Sequence, residues 1–216
     1  MSTFPGSPRL IKGGIVVLDP QSGAVLRVIP LQYNPDTLTR TLQIKGAGEG
    51  GDRIEALRLK GPPVETFKVE AEVDATDQLE VADRQTTQMG LHPLLAALEV
   101  LVYPTSGVLQ SNNDAAAAGT LEITPAKAPL TVFVFGPKRI VPVRITEFSV
   151  TEEAFDTTLN PIRARLSLGM RVLTIDDVPF ADRSGSLFMT YLKGKEQLAG
   201  QSKPGSMGTL GITGIP

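Results

Sequence analysis

The sequence predicts a mainly β protein of antiparallel hairpins with one helix packed against them. Three observations predict it. Residues 64–73 place Val64, Thr66, Lys68, Glu70 and Glu72 in one phase and Phe67, Val69, Ala71 and Val73 in the other. That alternation marks a strand with one buried and one wet face. Residues 141–170 alternate in the same way on both sides of a turn, TTLNP, as a long hairpin would. Only one stretch, His92–Val102, spaces its leucines helically.

Each element follows in order. Residues 1–12 carry Pro5, Gly6 and Pro8 and read as an N-terminal arm. Ile15–Leu18 form a β-rich run, DPQSG supplies turn chemistry, and Ala24–Tyr33 return as a second strand. KGAGEGGD, at 45–52, reads as a Gly-rich surface loop, because no Gly-Lys-Ser/Thr opens a helix there. Residues 53–60 give a short strand, Gly61-Pro62-Pro63 breaks it, and the long strand from Val64 follows. Glu65 departs from that strand's pattern.

Pro93 suits a first helical turn, and Pro104 and Gly107 end the helix. Residues 106–129 are polar, Ala-rich and interrupted by Pro. They read as a long surface loop with one short strand at Leu121–Ile123. LTVFVFG at 130–136 is a strand, and the hairpin at 139–172 closes the β region. The domain division is an arm at 1–12, a β domain at 13–180 and a C-terminal extension at 181–216. The extension is a short amphipathic helix followed by a Gly/Pro-rich tail whose Leu210, Ile212 and Ile215 suggest ordering on a neighbour. Lys195 reads as a surface position.

Composition narrows the function classes. The 216 residues are 41% hydrophobic and 20% charged, ordinary for a globular protein. A net charge of −2 implies no basic surface for nucleic acid. The absence of cysteine excludes disulfides and thiolate metal sites. MSTFPGSPRL lacks an apolar signal region, and no run approaches the roughly 20 apolar residues that cross a bilayer. These features predict synthesis and assembly in the cytoplasm and no membrane insertion.

No catalytic kit emerges. His92 is the sole histidine and directly precedes Pro93, and no Gly-x-Ser-x-Gly elbow exists to partner it. The pairs Asp74/Asp77, Glu152/Glu153 and Asp176/Asp177 lack the converging pattern of an oxygen-ligand cation site and read as turns and strand ends. Arg163, Arg165 and Arg171, with Arg139 and Arg144 opposite, are read as partners of Glu147, Glu152 and Glu153 across the hairpin or across a subunit boundary. No cofactor, metal or catalytic residue is assigned.

The order of strand breaks resembles a known family. LQYNPDTLTRTLQ, then LRLKGPPVETFKVEAEVDATD, then a helix, then RIVPVRITEFSVTEEAFDTTLNPIRARLSLGMRVL is similar to the tube-like proteins of contractile injection systems, which are phage-tail-like particles. The resemblance covers residues 13–178. It is carried by Tyr33-Asn34-Pro35, by Gly61-Pro62-Pro63 running to Asp74–Asp77, and by Asn160-Pro161. It implies a phage tail-tube-like β-barrel or sandwich of two packed antiparallel sheets with one flanking α-helix. It also implies rings of six copies whose strands join around a channel, in contact with tube, spike or hub and other baseplate proteins. The particle is released or retained in the cell. The nearest type is the baseplate adaptor joining inner tube to central spike. Inner-tube or tube-initiator protein is the alternative, and a cell-wall glycan-binding β-sandwich is the rival of another class. Adaptors often continue into a peptidoglycan-binding LysM module, which residues 181–216 lack. On this reading the three Pro-containing breaks are fixed strand corners, with Pro35 setting φ and ending ladder pairing.

Overall fold

The computed structural model describes residues 10–46, 59–119 and 128–215. Seven strands form one antiparallel sheet: β1 (Gly14–Leu18), β2 (Val25–Pro30), β3 (Leu38–Gln43), β4 (Val64–Asp74), β5 (Leu130–Val134), β6 (Ile140–Phe155) and β7 (Pro161–Val172). Their order is β2-β1-β5-β6-β7-β4-β3. The helices are α1 (Thr76–Glu80), α2 (Arg84–Met89), α3 (His92–Glu99), α4 (Ser106–Ala117) and α5 (Arg183–Gly200).

The protein is mainly β and antiparallel, as the alternation predicts. The expectation of two packed sheets and one flanking helix is corrected. Among the described residues there is a single sheet, it is not closed into a barrel, and there are five α-helices and a 3-10 turn at Met207–Leu210. The sheet instead folds over itself. Phe67 on β4 and Phe133 on β5 meet at 5.6 Å between ring centroids, although β7 and β6 lie between their strands. Three strand spacings on a flat sheet would span about 14 Å, so the contact requires strong curling. Arg139 completes the end of this stack, its guanidinium 5.8 Å from the rings of both Phe67 and Phe135.

The concave face holds the main core. On β4, Phe67, Val69, Ala71 and Val73 point in; on β7, Ala164, Leu166, Leu168, Met170 and Val172 do. Period-2 patterning on both strands, in register from Thr66↔Arg171 to Asp74↔Arg163, puts these sets on one side. The helix α3 lays Leu91, Leu95 and Leu98 on that core, a spacing of four and three residues that gives one helical face. A second, smaller core of Leu18, Leu130 and Val132 lies on another face, with Leu187 of α5 packed on it.

Two local expectations change. The polar, Ala-rich stretch after residue 105 is not all loop: it forms α4, with the Thr105 side chain accepting from the Val108 N–H at its start. The expected strand at Leu121–Ile123, residues 53–58 of the expected strand at 53–60 and the first nine residues of the arm lie outside the described residues; Leu59, which is described, makes an isolated bridge to Gly46. The helix of the C-terminal extension is 18 residues long and does not hang free. Its Phe188 and Tyr191 enter the main core. Beyond it, Leu210, Ile212 and Ile215 are exposed. No helix among the described residues is long and apolar enough to cross a membrane.

Candidate functional site

The motif residues occupy the corners of the sheet, and the first of them lies between its two borders. The first corner, 31–37, joins β2 to β3. These strands are consecutive in sequence but are the two opposite borders of the sheet. The corner therefore bridges the seam where a barrel would close. Asn34 accepts from the Gly13 N–H at 2.9 Å and donates to the Ile11 carbonyl at 2.8 Å, tying the chain before β1 to the turn. Leu31, buried, donates its N–H to the Gly13 carbonyl at 2.8 Å. Pro35 and Asp36 face Glu70, Glu72 and Asp74 across a shallow cleft, beside half-exposed Tyr33.

Gln32, which the sequence did not single out, makes a two-bond link across the seam. Its carboxamide donates to the Asp74 carbonyl at 2.6 Å and accepts from the Asp74 N–H at 2.8 Å. The Asp74 side chain caps the turn into α1 and pairs with Arg163 at 2.8 Å. The Thr76 hydroxyl, then the Thr76 N–H and Arg163, hold this carboxyl below the usual carboxylate range against the opposing effect of burial.

Gly61-Pro62-Pro63 forms the second corner, immediately before β4. Gly61 has φ +131°, and a Cβ there would sit 3.1 Å from Oδ2 of Asp176. Asp176 also receives Lys45 at 2.7 Å, and the Lys45 carbonyl accepts the Lys60 N–H at 3.0 Å, so the chain entering the corner is tied through Lys45 to the turn that follows β7. The next inward position, Glu65, is a buried carboxylate at 3% exposure. It accepts from the Tyr191 hydroxyl at 2.8 Å and from Lys195 at 2.7 Å, with Arg40 at 3.8 Å. Burial, then the Glu65 bond, pushes the Tyr191 phenol up to about 12. The departure from alternation at Glu65 was the available signal for this anchor.

Asn160-Pro161 forms the third corner, at the tip of the β6–β7 hairpin. The Asp156 carboxylate accepts from the Asn160 side chain and N–H and from the Thr158 N–H and hydroxyl, at 2.7–2.9 Å. These bonds, Asn160 foremost, lower its pKa to about 2. The tip docks on the α2–α3 junction, where Leu91 donates to the Pro161 carbonyl at 2.9 Å and Gly90 leaves room for it.

The other candidates are dispersed. His92 is exposed at the start of α3. Among the described residues no group of three or more acids and histidine is placed to hold a metal ion. Arg165 pairs with Glu153 across the hairpin at 3.4 Å, whereas Arg163 turns to Asp74 of β4 and Arg171 to Asp177.

Four strand borders have no neighbouring strand among the described residues, one of them the Glu70–Val73 end of β4, which β3 leaves uncovered beyond Val69. β2 is paired only with β1, and β3 only with β4. On β6, β5 stops at Val143, so Thr146–Phe155 is paired on one side only, with β7. The β2 border is also apolar: Val25, Leu26 and Val28 are each about 60% exposed. An apolar, unpaired strand in water is an invitation to further pairing.

No family model matches the chain, and no curated protein is significantly similar to it.

Proposed function

We propose that this chain is a non-catalytic, ring-forming structural subunit of a phage-tail-like contractile injection particle. Within that class, its place is the junction of inner tube and baseplate, as the adaptor to the central spike. The observation that carries the reading is the set of unpaired strand borders on a sheet that does not close on itself. A border strand leaves main-chain groups unpaired and, at β2, apolar side chains in water; pairing a border with a like neighbour around a ring satisfies it without creating a new end. The three Pro-containing corners support it too. Each is spent on shaping the sheet: one bridges the seam, one fastens β4 to the β7 turn, and one docks the hairpin tip.

The assignment to this particle, and the adaptor place in it, rest on the motif resemblance. The test has two levels. The full chain, concentrated and examined by light scattering and negative-stain imaging, is expected to form closed rings of about six copies, the number the resemblance implies. Particles assembled without the subunit are expected to lose the spike from the tube end. A chain that stays monomeric at all concentrations, and is missing from purified particles, would overturn the reading.

A further inference from the structure

We propose that the Glu70–Val73 end of β4 receives a short, extended, basic segment of a different protein, seated antiparallel between β4 and the corner at 33–36. The inference goes beyond the ring reading and needs no ring, because one chain holds the whole acceptor. It starts from where the main chain of β4 points. Ala75 gives its N–H to the Ile162 carbonyl, on the β7 side. Main-chain direction alternates along a strand, so Val73, Ala71 and Val69 also face β7, while Asp74, Glu72 and Glu70 face away from it. Gln32 takes both main-chain groups of Asp74. β3 begins only at Leu38, opposite Val69. The N–H and C=O of Glu70 and Glu72 therefore have no main-chain partner on that side among the described residues.

The opening is closed at both ends. β3 fills the edge up to Val69, and the Gln32 carboxamide fills it at Asp74. What remains is about 13 Å long, four residues of extended chain. The border strands β2 and β3 are six residues each, so a whole border of a second copy does not enter, whereas a short segment does. In front of the opening lies a cleft of about 420 Å³, with Tyr33, Pro35 and Asp36 as its far wall.

Charge sets the chemistry of the occupant. The cleft is lined by Asp36, Glu70, Glu72 and Asp74 and by no base. Arg163 pairs with Asp74 at 2.8 Å and reaches Glu72 at 3.8 Å, while Asp36 and Glu70 have no ion-pair partner among the described residues. The side chains of Glu70 and Glu72 share the outer face of β4, and those of Ala71 and Val73 are buried on the other. An antiparallel strand beside them sets its own alternate side chains directly opposite Glu70 and Glu72. The matching segment carries Lys or Arg at alternate positions with small or apolar residues between. Main-chain bonds supply the affinity of such a strand addition, and the side chains select the partner.

The probe is a fluorescently labelled Lys-Val-Arg-Val-Lys peptide, blocked at both ends and titrated into the full chain by anisotropy. Glu-Val-Glu-Val-Glu is the charge control. In antiparallel pairing the residues opposite Glu70 and Glu72 are the ones that bond to them. An N-methyl group on the central Arg is therefore expected to abolish binding, and one on a Val to leave it. Glu70→Gln with Glu72→Gln, both at exposed positions, is expected to weaken binding about tenfold at an unchanged melting temperature. Bound peptide is expected to slow amide hydrogen exchange at Glu70 and Glu72 and not at Lys68, which β3 already covers. Binding that is indifferent to the N-methyl-Arg, or that leaves the Glu70 and Glu72 amides exchanging as in the free chain, is charge attraction alone and would overturn the inference. Equal binding of the acidic peptide, or no binding of the basic one, would overturn it too. Each of these outcomes leaves the ring reading standing, since rings are read by light scattering and imaging without the peptide.

Discussion

Gln32 pairs with the main chain of Asp74 as a neighbouring strand would, donating to its carbonyl at 2.6 Å and accepting from its N–H at 2.8 Å. Gln32 follows β2, one border of the sheet, and Asp74 ends β4, next to the other border. One side chain thus stands in for the missing strand at the mouth of the curl. It also explains why the corner at 31–37 holds its course: Asn34 ties one side of the turn to the chain before β1, and Gln32 ties the other to β4.

Replacing Gln32 with Ala leaves two part-buried main-chain groups without partners. The expected cost is about 1–3 kcal/mol, read as a lower urea midpoint with an unchanged slope. Gln32→Glu keeps the acceptor but loses the donor and adds a charge beside the Asp74 region, so it is expected to destabilise as well. A Gln32→Ala protein with the parent's midpoint would show that the seam is held elsewhere.

The buried carboxylate of Glu65 joins α5 to β4 through Tyr191 and Lys195. Tyr191→Phe removes one charge-assisted bond while keeping the ring, and is expected to cost about 1.5–3 kcal/mol. Lys195→Ala is expected to destabilise too, because the side chain is both an ion-pair partner and a cover on the Tyr191 ring at 4.2 Å. Truncation divides the tail from the helix. A chain ending at residue 200 is expected to melt within a few degrees of the parent, since the residues beyond are exposed. A chain ending at residue 180 loses Phe188 and Tyr191 from the core. Each such loss costs about 3–5 kcal/mol, against a typical total of about 5–15 kcal/mol, so cooperative unfolding is expected to disappear. A cooperative transition in that shorter chain would show that α5 is an appendage.

The strands were legible in the sequence wherever one face is buried and the other wet. β4, β6 and β7 follow from alternation alone, and α3 from its leucines. Strand order was not legible, because period-2 patterning gives a face and not a neighbour; the expectation of two packed sheets came from the motif resemblance, and the described strands form one curled sheet. α4 was hidden because Ser106, Gly107, Asn112 and Asn113 are weak helix formers, although Thr105 stood ready as its cap. Lys195 reads as a surface residue because nothing local shows that its partner is 130 positions away in sequence. Gln32 was missed for the same reason. The corners at Tyr33-Asn34-Pro35, Gly61-Pro62-Pro63 and Asn160-Pro161 were visible from turn chemistry; what each touches was not.

Acid is expected to loosen the hairpin tip first. Asp156 keeps its charge down to about pH 2, against an ordinary value of 3.8, because Asn160 and Thr158 donate to the charged form. The native state therefore binds fewer protons than the unfolded chain between these values. Its stabilising share is fully present above about pH 5 and is lost as pH falls from about 4 to about 2. Asp74, Asp83 and Asp19 are lowered too, by Thr76, Thr86 and Ser22 respectively, and steepen the same limb. Urea midpoints measured from pH 6 to pH 2 are expected to fall in that window, with a shallower fall for Asp156→Asn. An identical pH dependence in the variant would remove Asp156 from the account.

Two glycine-to-alanine changes are expected to move stability in opposite directions. Gly90 joins α2 to α3 with φ 52° and ψ −134°, a region that a side chain strongly disfavours. A Cβ there would also lie 2.5 Å from the Pro161 carbonyl oxygen and 2.9 Å from Cβ of Asn160. Neither can retreat cheaply. The carbonyl belongs to the start of β7 and accepts the Leu91 N–H, and Asn160 is locked to Asp156. The backbone strain alone costs about 1–3 kcal/mol, and lifting the tip would add the lost Leu91 bond. Gly194, by contrast, sits inside α5 with nothing within 4 Å of an added Cβ, so Gly194→Ala is expected to stabilise by about 0.5–1 kcal/mol. Thermal melts of the two variants read both signs. A neutral Gly90→Ala would mean that the hairpin tip is not seated on the α2–α3 junction, and a destabilising Gly194→Ala would mean that this face of α5 is covered in the assembled protein.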